Sequence, residues 1–229
     1  ATYTVTVKNN GTAPGSYVLK DVPAAVAGTT ITNIAISSAS PAVSVNPYTS
    51  GTALPSQAIA AGATHTYTVT VTFTVQTVTA ANLGGFTCAP NTPETGKGQV
   101  NTATITVGGV DSSDTGCVSV PTPSVTVVKT ARPASLAYDA VNQRWSVVYD
   151  ISVTNTGLVP TVFTLTDTAL ADVGVVPFGV SITPTPVADT VIQPGPANAK
   201  QYVATVTFTV DTAAPGFQYE CGSESNPTG

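Results

Sequence analysis

A lysine, an acid and an asparagine lie on strand faces that otherwise carry apolar residues, and this combination can form a covalent bond. Each shares its strand face with apolar residues at every second position. The residues are Lys129, Asp167 with its counterpart Asp21, and Asn101. Burying such groups without partners is expensive. In an isopeptide bond a desolvated, neutral lysine attacks the asparagine carboxamide, a protonated acid polarises the carbonyl, and ammonia leaves. The alternative is that each side chain lies at a strand end and reaches water or the backbone.

The three cysteines are predicted to serve as disulfide partners. Cys88 and Cys117 flank the last strand predicted in the first half of the chain. A bond between them closes a loop of about 30 residues and is worth roughly 3–4 kcal/mol in the loop-entropy model. Cys221 then has no partner in this chain, and we expect its partner to lie outside the chain. A free thiol is the alternative for Cys221.

Apart from these groups the sequence offers little reactive chemistry. Its one histidine, His65, begins a long alternating stretch, where a histidine is usually a surface or edge residue. Gly-x-Ser-x-Gly, a glycine-rich phosphate loop before a helix and Cys-x-x-Cys are all absent from the sequence. Asp111 and Asp114 offer oxygens for Ca²⁺, although a polar loop is the simpler interpretation. We predict no enzyme activity, no catalytic residue, no cofactor and no metal site.

The composition indicates a β-rich extracellular protein. Only 8% of the 229 residues are charged, against about 25% in an average soluble protein. Threonine and valine supply 41 and 34 residues, and both favour strands. The net charge of -5 argues against nucleic acid as a partner, and no apolar run approaches the ~20 residues of a membrane helix. Together with the cysteines, this predicts an extracellular or cell-surface location without membrane insertion.

Strict alternation of apolar residues with threonine predicts half-buried antiparallel strands. It is clearest in Tyr3–Val7 and in His65–Val75. We expect the apolar faces to be buried and the threonines to face solvent; the inward residues are Tyr3, Val5, Val7, Tyr67, Val69, Val71 and Phe73. Turn-forming residues separate the strands, so the predicted fold is all-β, as antiparallel Greek-key sandwiches with essentially no helix.

An internal repeat organises the chain. Three segments of the first half match three of the second in order: Tyr3–Gly11 with Tyr149–Gly157, Tyr17–Asp21 with Phe163–Asp167, and Tyr67–Val75 with Tyr202–Val210. We predict a β-sandwich over residues 1–120 and a second over residues 121–229. The joint between them is the stiff Pro121–Pro123 segment.

The two copies begin and end at different points of the repeat. The first has no strand corresponding to Ser124–Lys129, and the second has none corresponding to Gln99–Val107. We expect copies of the same chain, or flanking repeats, to supply these strands by head-to-tail addition. Neither copy holds the full isopeptide set, so a lysine corresponding to Lys129 from a preceding unit is expected to face Asn101 or Asp21.

The order of the motifs resembles a known family. Val128-Lys129-Thr130, Tyr149–Gly157, Leu165-Thr-Asp167 and Asn101–Ile105 resemble the tandem repeat catalogued as domain of unknown function eleven. The resemblance implies an immunoglobulin-like β-sandwich of the kind found in large bacterial and archaeal surface proteins. It implies a stalk, wall or adhesin role and no catalytic residues.

The function predicted from the sequence is that of a structural repeat in an extracellular stalk, surface layer or filament, assembled head to tail. The alternative is an adhesin module that recognises glycan or protein through its end loops. Its candidate contact residues are the aromatic side chains of Trp145, Tyr138 and Tyr48. An enzyme would need clustered titratable groups, which this composition scarcely supplies.

Overall fold

The computed structural model describes residues 1–89, 97–185 and 187–216, and its regular structure is almost entirely β. Helix within these ranges is limited to a single turn, α1 (Ala80–Leu83), and a 3-10 turn at Pro196–Asn198. The predicted all-β fold is therefore confirmed. Neither of these helices has the length or apolar character needed to cross a bilayer.

The strands are β1 (Thr2–Lys8), β2 (Gly15–Ala24), β3 (Thr29–Ser38), β4 (Val43–Val45), β5 (Gln57–Ile59), β6 (Thr64–Val75), β7 (Gln99–Val107), β8 (Val110–Val118), β9 (Val125–Ala131), β10 (Ala137–Asp139), β11 (Arg144–Asn155), β12 (Thr161–Phe163), β13 (Val175–Thr183), β14 (Thr190–Ile192) and β15 (Lys200–Val210).

The chain divides into two compact units. Unit 1 is Ala1–Pro123 with the short segment Gly157–Thr161, and unit 2 is Ser124–Thr156 with the chain from Val162 onward. The division thus falls at the end of the proline-containing joint. The segment 157–161 belongs to unit 1 through contacts such as the hydrogen bond from the Val78 N–H to the Pro160 carbonyl, at 2.8 Å.

Unit 1 contains two four-stranded sheets that share one core. One sheet has the order β1-β6-β3-β4 and the other β5-β2-β7-β8, and all the pairings are antiparallel. Both sheets contribute the buried residues of the core, which are Tyr3, Val7, Tyr17, Leu19, Ile34, Ile36, Tyr48, Leu54, Ile59, Tyr67, Val69 and Val71.

The alternation in β6 has the predicted consequence for burial. Tyr67, Val69 and Val71 are at most 1% exposed, whereas Thr68 and Thr70 between them are exposed. The inward face of β1 is buried at Tyr3 and Val7 in the same way, with Thr4 and Thr6 exposed. Val5 and Phe73, also predicted to be buried, are only partly so and pack against the rim of the core.

Unit 2 repeats part of this topology. Strand β11 pairs with β15 and β15 with β13, as β1 pairs with β6 and β6 with β3. The two-stranded sheet β12-β14 corresponds to β2-β5. The other described strands differ between the units: β9 and β10 occur only in unit 2, and β4, β7 and β8 only in unit 1.

The alternation generates a prediction on an isosteric pair of substitutions. Val69→Thr places a hydroxyl at a fully buried position and should lower the free energy of unfolding by about 1–3 kcal/mol. Thr70→Val changes the same atoms on the exposed face and should stay within about 0.5 kcal/mol of the wild type. Urea unfolding followed by circular dichroism measures both. Equal effects would contradict the assignment of the two faces.

Candidate functional site

The outer edge of β1 is the candidate site, because only its inner edge is paired. The Ala1 amino group donates to the Val71 carbonyl, and the Val71 N–H donates to the Ala1 carbonyl, each at 2.8 Å. Hydrogen-bonded residues alternate along an antiparallel pair, so the peptide groups of Thr2, Thr4 and Thr6 point away from β6. Among the described strands none pairs with that edge.

In unit 2 the corresponding edge is covered. Strands β9 and β10 both pair with the edge of β11 that faces away from β15. The Thr156 N–H donates to the Ser124 carbonyl at 2.7 Å, and the Arg132 N–H donates to the Val148 carbonyl at 2.9 Å. Unit 2 therefore shows a strand added at the place that is unpaired in unit 1.

A cleft of about 180 Å³ adjoins the unpaired edge and lies between β1 and β8. Its lining includes the exposed Thr4, Thr6 and Asp114, and the buried side chains of Tyr3 and Asn101. The cleft therefore leads from an open strand edge to a polar group within the sandwich.

Asp21 and Asn101 form a polar pair in the core of unit 1. They are 0% and 3% exposed, and the Asn101 Nδ2 donates to the Asp21 Oδ1 at 2.8 Å. The other oxygens, Asp21 Oδ2 and Asn101 Oδ1, are buried and accept no hydrogen bond from any described residue. The same holds for Gln99 Oε1. Buried acceptors are normally satisfied, so this group is incomplete as it stands.

Burial dominates the electrostatics of this group. It raises the pKa of Asp21 to about 6, although the hydrogen bond from Asn101 acts in the opposite direction. Burial, with a smaller contribution from Asp21, raises the pKa of Tyr3 to about 12. Tyr48 accepts the Asp21 N–H at 3.0 Å and donates to the Thr52 carbonyl. In the described part of the chain no lysine or arginine forms an ion pair with Asp21.

The counterpart acid in unit 2 has a cation. The Lys129 Nζ lies 2.8 Å from both carboxylate oxygens of Asp167 and 4.4 Å from the centre of the Tyr149 ring. The two side chains are 36% and 10% exposed. The four residues of the predicted isopeptide set are thus brought together as two separate pairs, Asp21 with Asn101 and Lys129 with Asp167.

The predicted burial of Lys129 is wrong. Every residue of β9 is exposed, including Val125 and Val127 at 41% and 60%. Alternation correctly places these side chains on one face of the strand. That face stays in solvent because no described strand of unit 2 corresponds to β7 or β8 and covers it.

The disulfide joins Cys88 to Cys117, with the sulfur atoms 2.10 Å apart. Gly98 packs against it in the left-handed conformation, with φ +63. Cys221 lies outside the described residues. Asp111 and Asp114, interpreted as part of a polar loop, instead lie in β8, which follows a Gly108-Gly109 hairpin turn. No group of three or more His, Cys, Asp or Glu in the described ranges is placed to hold a metal ion.

The histidine and the aromatic residues singled out in the sequence differ in how far they are buried. His65 is half-buried, and its Nδ1 lies 2.8 Å from the Tyr17 hydroxyl, so it is part of the packing at the edge of the core. Tyr48 is 4% exposed, which removes it from the candidate adhesin residues. Tyr138 is 52% exposed, and its ring centre lies 5.0 Å from that of Trp145.

No family model, curated protein or solved structure matches the chain. Membership of the family suggested by the motifs therefore stays a prediction.

The raised pKa of Asp21 predicts a pH dependence of stability. Its folded-state pKa is above the ordinary value, so its contribution to stability is complete below about pH 4 and is lost as the pH rises through about 6. We expect the free energy of unfolding to fall by about 2 kcal/mol over this range, and Asp21→Asn to remove that fall. Urea unfolding at several pH values measures it.

The matched control is Asp114→Asn, which removes an exposed carboxyl and should keep the wild-type pH profile. Identical profiles for Asp21→Asn and the wild type would contradict the assignment.

The packing of Gly98 predicts a sensitive position beside the disulfide. A Cβ there would lie 2.6 Å from both sulfur atoms. Gly98→Ala should lower the free energy of unfolding by about 2 kcal/mol or more and leave a fraction of free thiol. Gly62→Ala is the control, since φ there is +71 with nothing within 4 Å of the added Cβ. Thiol titration with chemical unfolding distinguishes the clash from backbone strain, and equal results would show strain alone.

Proposed function

We propose that this chain is a structural repeat module of an extracellular stalk, surface layer or filament, built from immunoglobulin-like β-sandwiches that join head to tail by strand addition. One observation carries the proposal. The outer edge of β1 is unpaired by any described strand, while the corresponding edge of β11 carries β9.

The unpaired edge has the composition of a surface that accepts another strand. Unpaired edges in soluble proteins are usually protected by charges, prolines or bulges. Strand β1 contains no proline and no bulge in its pairing with β6, and its only charged side chain is Lys8. Nothing along Thr2–Thr6 therefore opposes main-chain pairing with an incoming strand.

The two units differ in complementary ways. Unit 1 has β7 and β8 without a counterpart of β9, and unit 2 has β9 without a described counterpart of β7 and β8. Because β9 itself pairs with β11, the strand received at β1 comes from another unit, and the contact uses different surfaces on the two partners. Such heterologous contacts generate open chains rather than closed dimers.

The disulfide supports an extracellular setting. It lies within unit 1 and ties the segment after Phe86 to β8. Structural disulfides persist in oxidising compartments, such as the cell exterior. A stalk or surface layer is exposed to that environment throughout its life.

An adhesin role is the second candidate, and an exposed aromatic group favours it. In unit 2 Tyr138 packs on Trp145, while Phe178 is 61% exposed with the Arg144 guanidinium 3.1 Å from its ring centre. Exposed aromatic clusters of this kind are typical of contact surfaces for sugars and proteins.

Strand addition is tested with a labelled peptide of the sequence of residues 124–131, carrying arginine in place of the lysine. The full chain should bind this peptide in fluorescence polarisation. Thr4→Pro removes an N–H from the outer edge without breaking a bond to β6, and it should weaken binding by about tenfold or more.

Thr4→Val keeps that N–H and should bind as the wild type does. Tyr138→Ala should also leave binding unchanged, because the aromatic group belongs to the adhesin hypothesis. Absence of binding, or binding that Thr4→Pro leaves intact, would overturn strand addition at β1.

A further inference from the structure

We propose that the Asn101 carboxamide of unit 1 forms an isopeptide bond with the lysine of a strand added at β1, where that strand has the pattern of Val125–Lys129. The inference rests on the proposed function, because it needs strand addition at this edge. It goes further by naming a modification site and the chemistry that occurs there.

Unit 2 shows where the lysine of such a strand comes to lie. In the pairing of β9 with β11, Lys129 is directly opposite Ile151. From there its ammonium reaches the Asp167 carboxylate at 2.8 Å and lies over the ring of Tyr149. A strand on this edge therefore delivers its lysine to an acid and a tyrosine of the receiving sandwich.

The receiving residues have counterparts in unit 1 at a constant offset of 146 positions. Tyr149, Ile151 and Asp167 correspond to Tyr3, Val5 and Asp21 (149 − 3, 151 − 5 and 167 − 21 are each 146). Tyr3 and Val5 line the cleft beside β1. Asp21 is hydrogen-bonded to Asn101, which also lines the cleft.

The buried polar pair has the groups that a lysine would complete. Asp21 Oδ2 and Asn101 Oδ1 are both buried and receive no hydrogen bond from the described residues. A lysine Nζ brings hydrogen-bond donors and a positive charge to this acidic group. The complementarity is that seen between Lys129 and Asp167, but in unit 1 the carboxyl is completely buried and has an asparagine beside it.

Because of these two differences, a lysine beside Asp21 is expected to react with Asn101, whereas Lys129 and Asp167 form an ion pair. On burial, the lysine ammonium passes a proton to the Asp21 carboxylate and becomes a neutral nucleophile. Burial raises the pKa of Asp21 to about 6, which favours this transfer. Tyr3 and Tyr48 are titratable groups that interact with Asp21, and burial raises the pKa of each, so both stay neutral.

The reaction balances without an added reagent. The protonated Asp21 donates to Asn101 Oδ1 once the amide turns, and this polarises the carbonyl for attack by the lysine Nζ on Asn101 Cγ. The Nζ–Cγ bond forms and the Cγ–Nδ2 bond breaks. Nδ2 takes up the proton lost by Nζ and leaves as ammonia. The products are a secondary amide and ammonia, and the proton on Asp21 is returned to solvent with the ammonia as ammonium.

Lys129 and Asp167 form no such bond because two conditions fail in unit 2. The Asp167 side chain is 10% exposed and that of Lys129 36%, so this pair is less completely buried than Asp21. Its hydrogen-bond partner is the Lys129 ammonium, with no described asparagine in hydrogen-bond contact. The pair is therefore a stable ion pair, and it shows the geometry of docking without the reaction.

The test uses the full chain and the peptide of residues 124–131 with its lysine intact. The chain and the peptide are incubated together and then analysed by denaturing mass spectrometry. We expect an adduct whose mass is that of the chain plus the peptide less one ammonia. Fragmentation should place the link between the peptide lysine and Asn101. The arginine peptide should bind without an adduct, and Asn101→Ala and Thr4→Pro should each abolish the adduct. Circular dichroism verifies that the two variants fold.

The outcomes separate this inference from the proposed function. Reversible binding of the lysine peptide with no adduct overturns the isopeptide bond and leaves strand addition standing. Failure of both the lysine and the arginine peptide to bind overturns both. An adduct that persists in Asn101→Ala, or one whose link lies elsewhere, overturns the assignment to Asn101.

Discussion

A β-strand has hydrogen-bonding groups along both edges. In unit 1 the arrangement of the sandwich depends on β1, which pairs along one edge only. The pairing with β6 fixes which peptide groups face outward, and alternation fixes which side chains face inward. Both properties meet at the cleft between β1 and β8. The unpaired backbone and the incomplete Asp21–Asn101 group are therefore neighbours, and one incoming strand can satisfy both.

The two units show the same local design with and without the added strand. Residues related by the constant offset occupy corresponding positions: Tyr149 beside the lysine in unit 2, and Tyr3 beside the cleft in unit 1. In unit 2 the acid is neutralised by Lys129. In unit 1 the acid has no cation in the described residues and sits in a sandwich that β7 and β8 close on the other side. Burial without a counter-ion is costly, so a strand that brought a cation to this edge would lower that cost.

Much of this architecture could be predicted from the sequence. Alternation of valine with threonine identified β6 and its buried face, and the matched segments contain strands that occupy corresponding places, β1 and β11, and β6 and β15. No matched segment covered β3 or β13. Alternation states which residues share a face and not whether that face is covered, and this is why the prediction for Lys129 failed. Coverage depends on strands that are distant in sequence.

Two further features were missed for related reasons. The β8 sequence, rich in Asp, Ser and Gly, has little intrinsic strand preference, and its conformation is set by pairing with β7 along its length. The adjacent glycines at 108 and 109 were the available signal, since two residues of positive φ suit a tight hairpin. Tyr48 lies in a loop, where no period reveals burial. Its hydroxyl is satisfied by the backbone of Asp21 and Thr52.

The acids at Asp21 and Asp167 are better explained by the register of an added strand than by the stability of the fold. An apolar residue at the buried position would remove the cost of an unpaired carboxyl. A strand of alternating valine and threonine, however, gives little information on register, because positions two residues apart carry the same kind of side chain. A slip of two residues keeps the same face inward, and only a unique side chain distinguishes the alternatives. One lysine meeting one acid, as Lys129 meets Asp167 opposite Ile151, selects a single register. Under the proposed strand addition, that same register would bring the lysine to Asn101, so the contact that aligns the strand would also place the reacting atoms together.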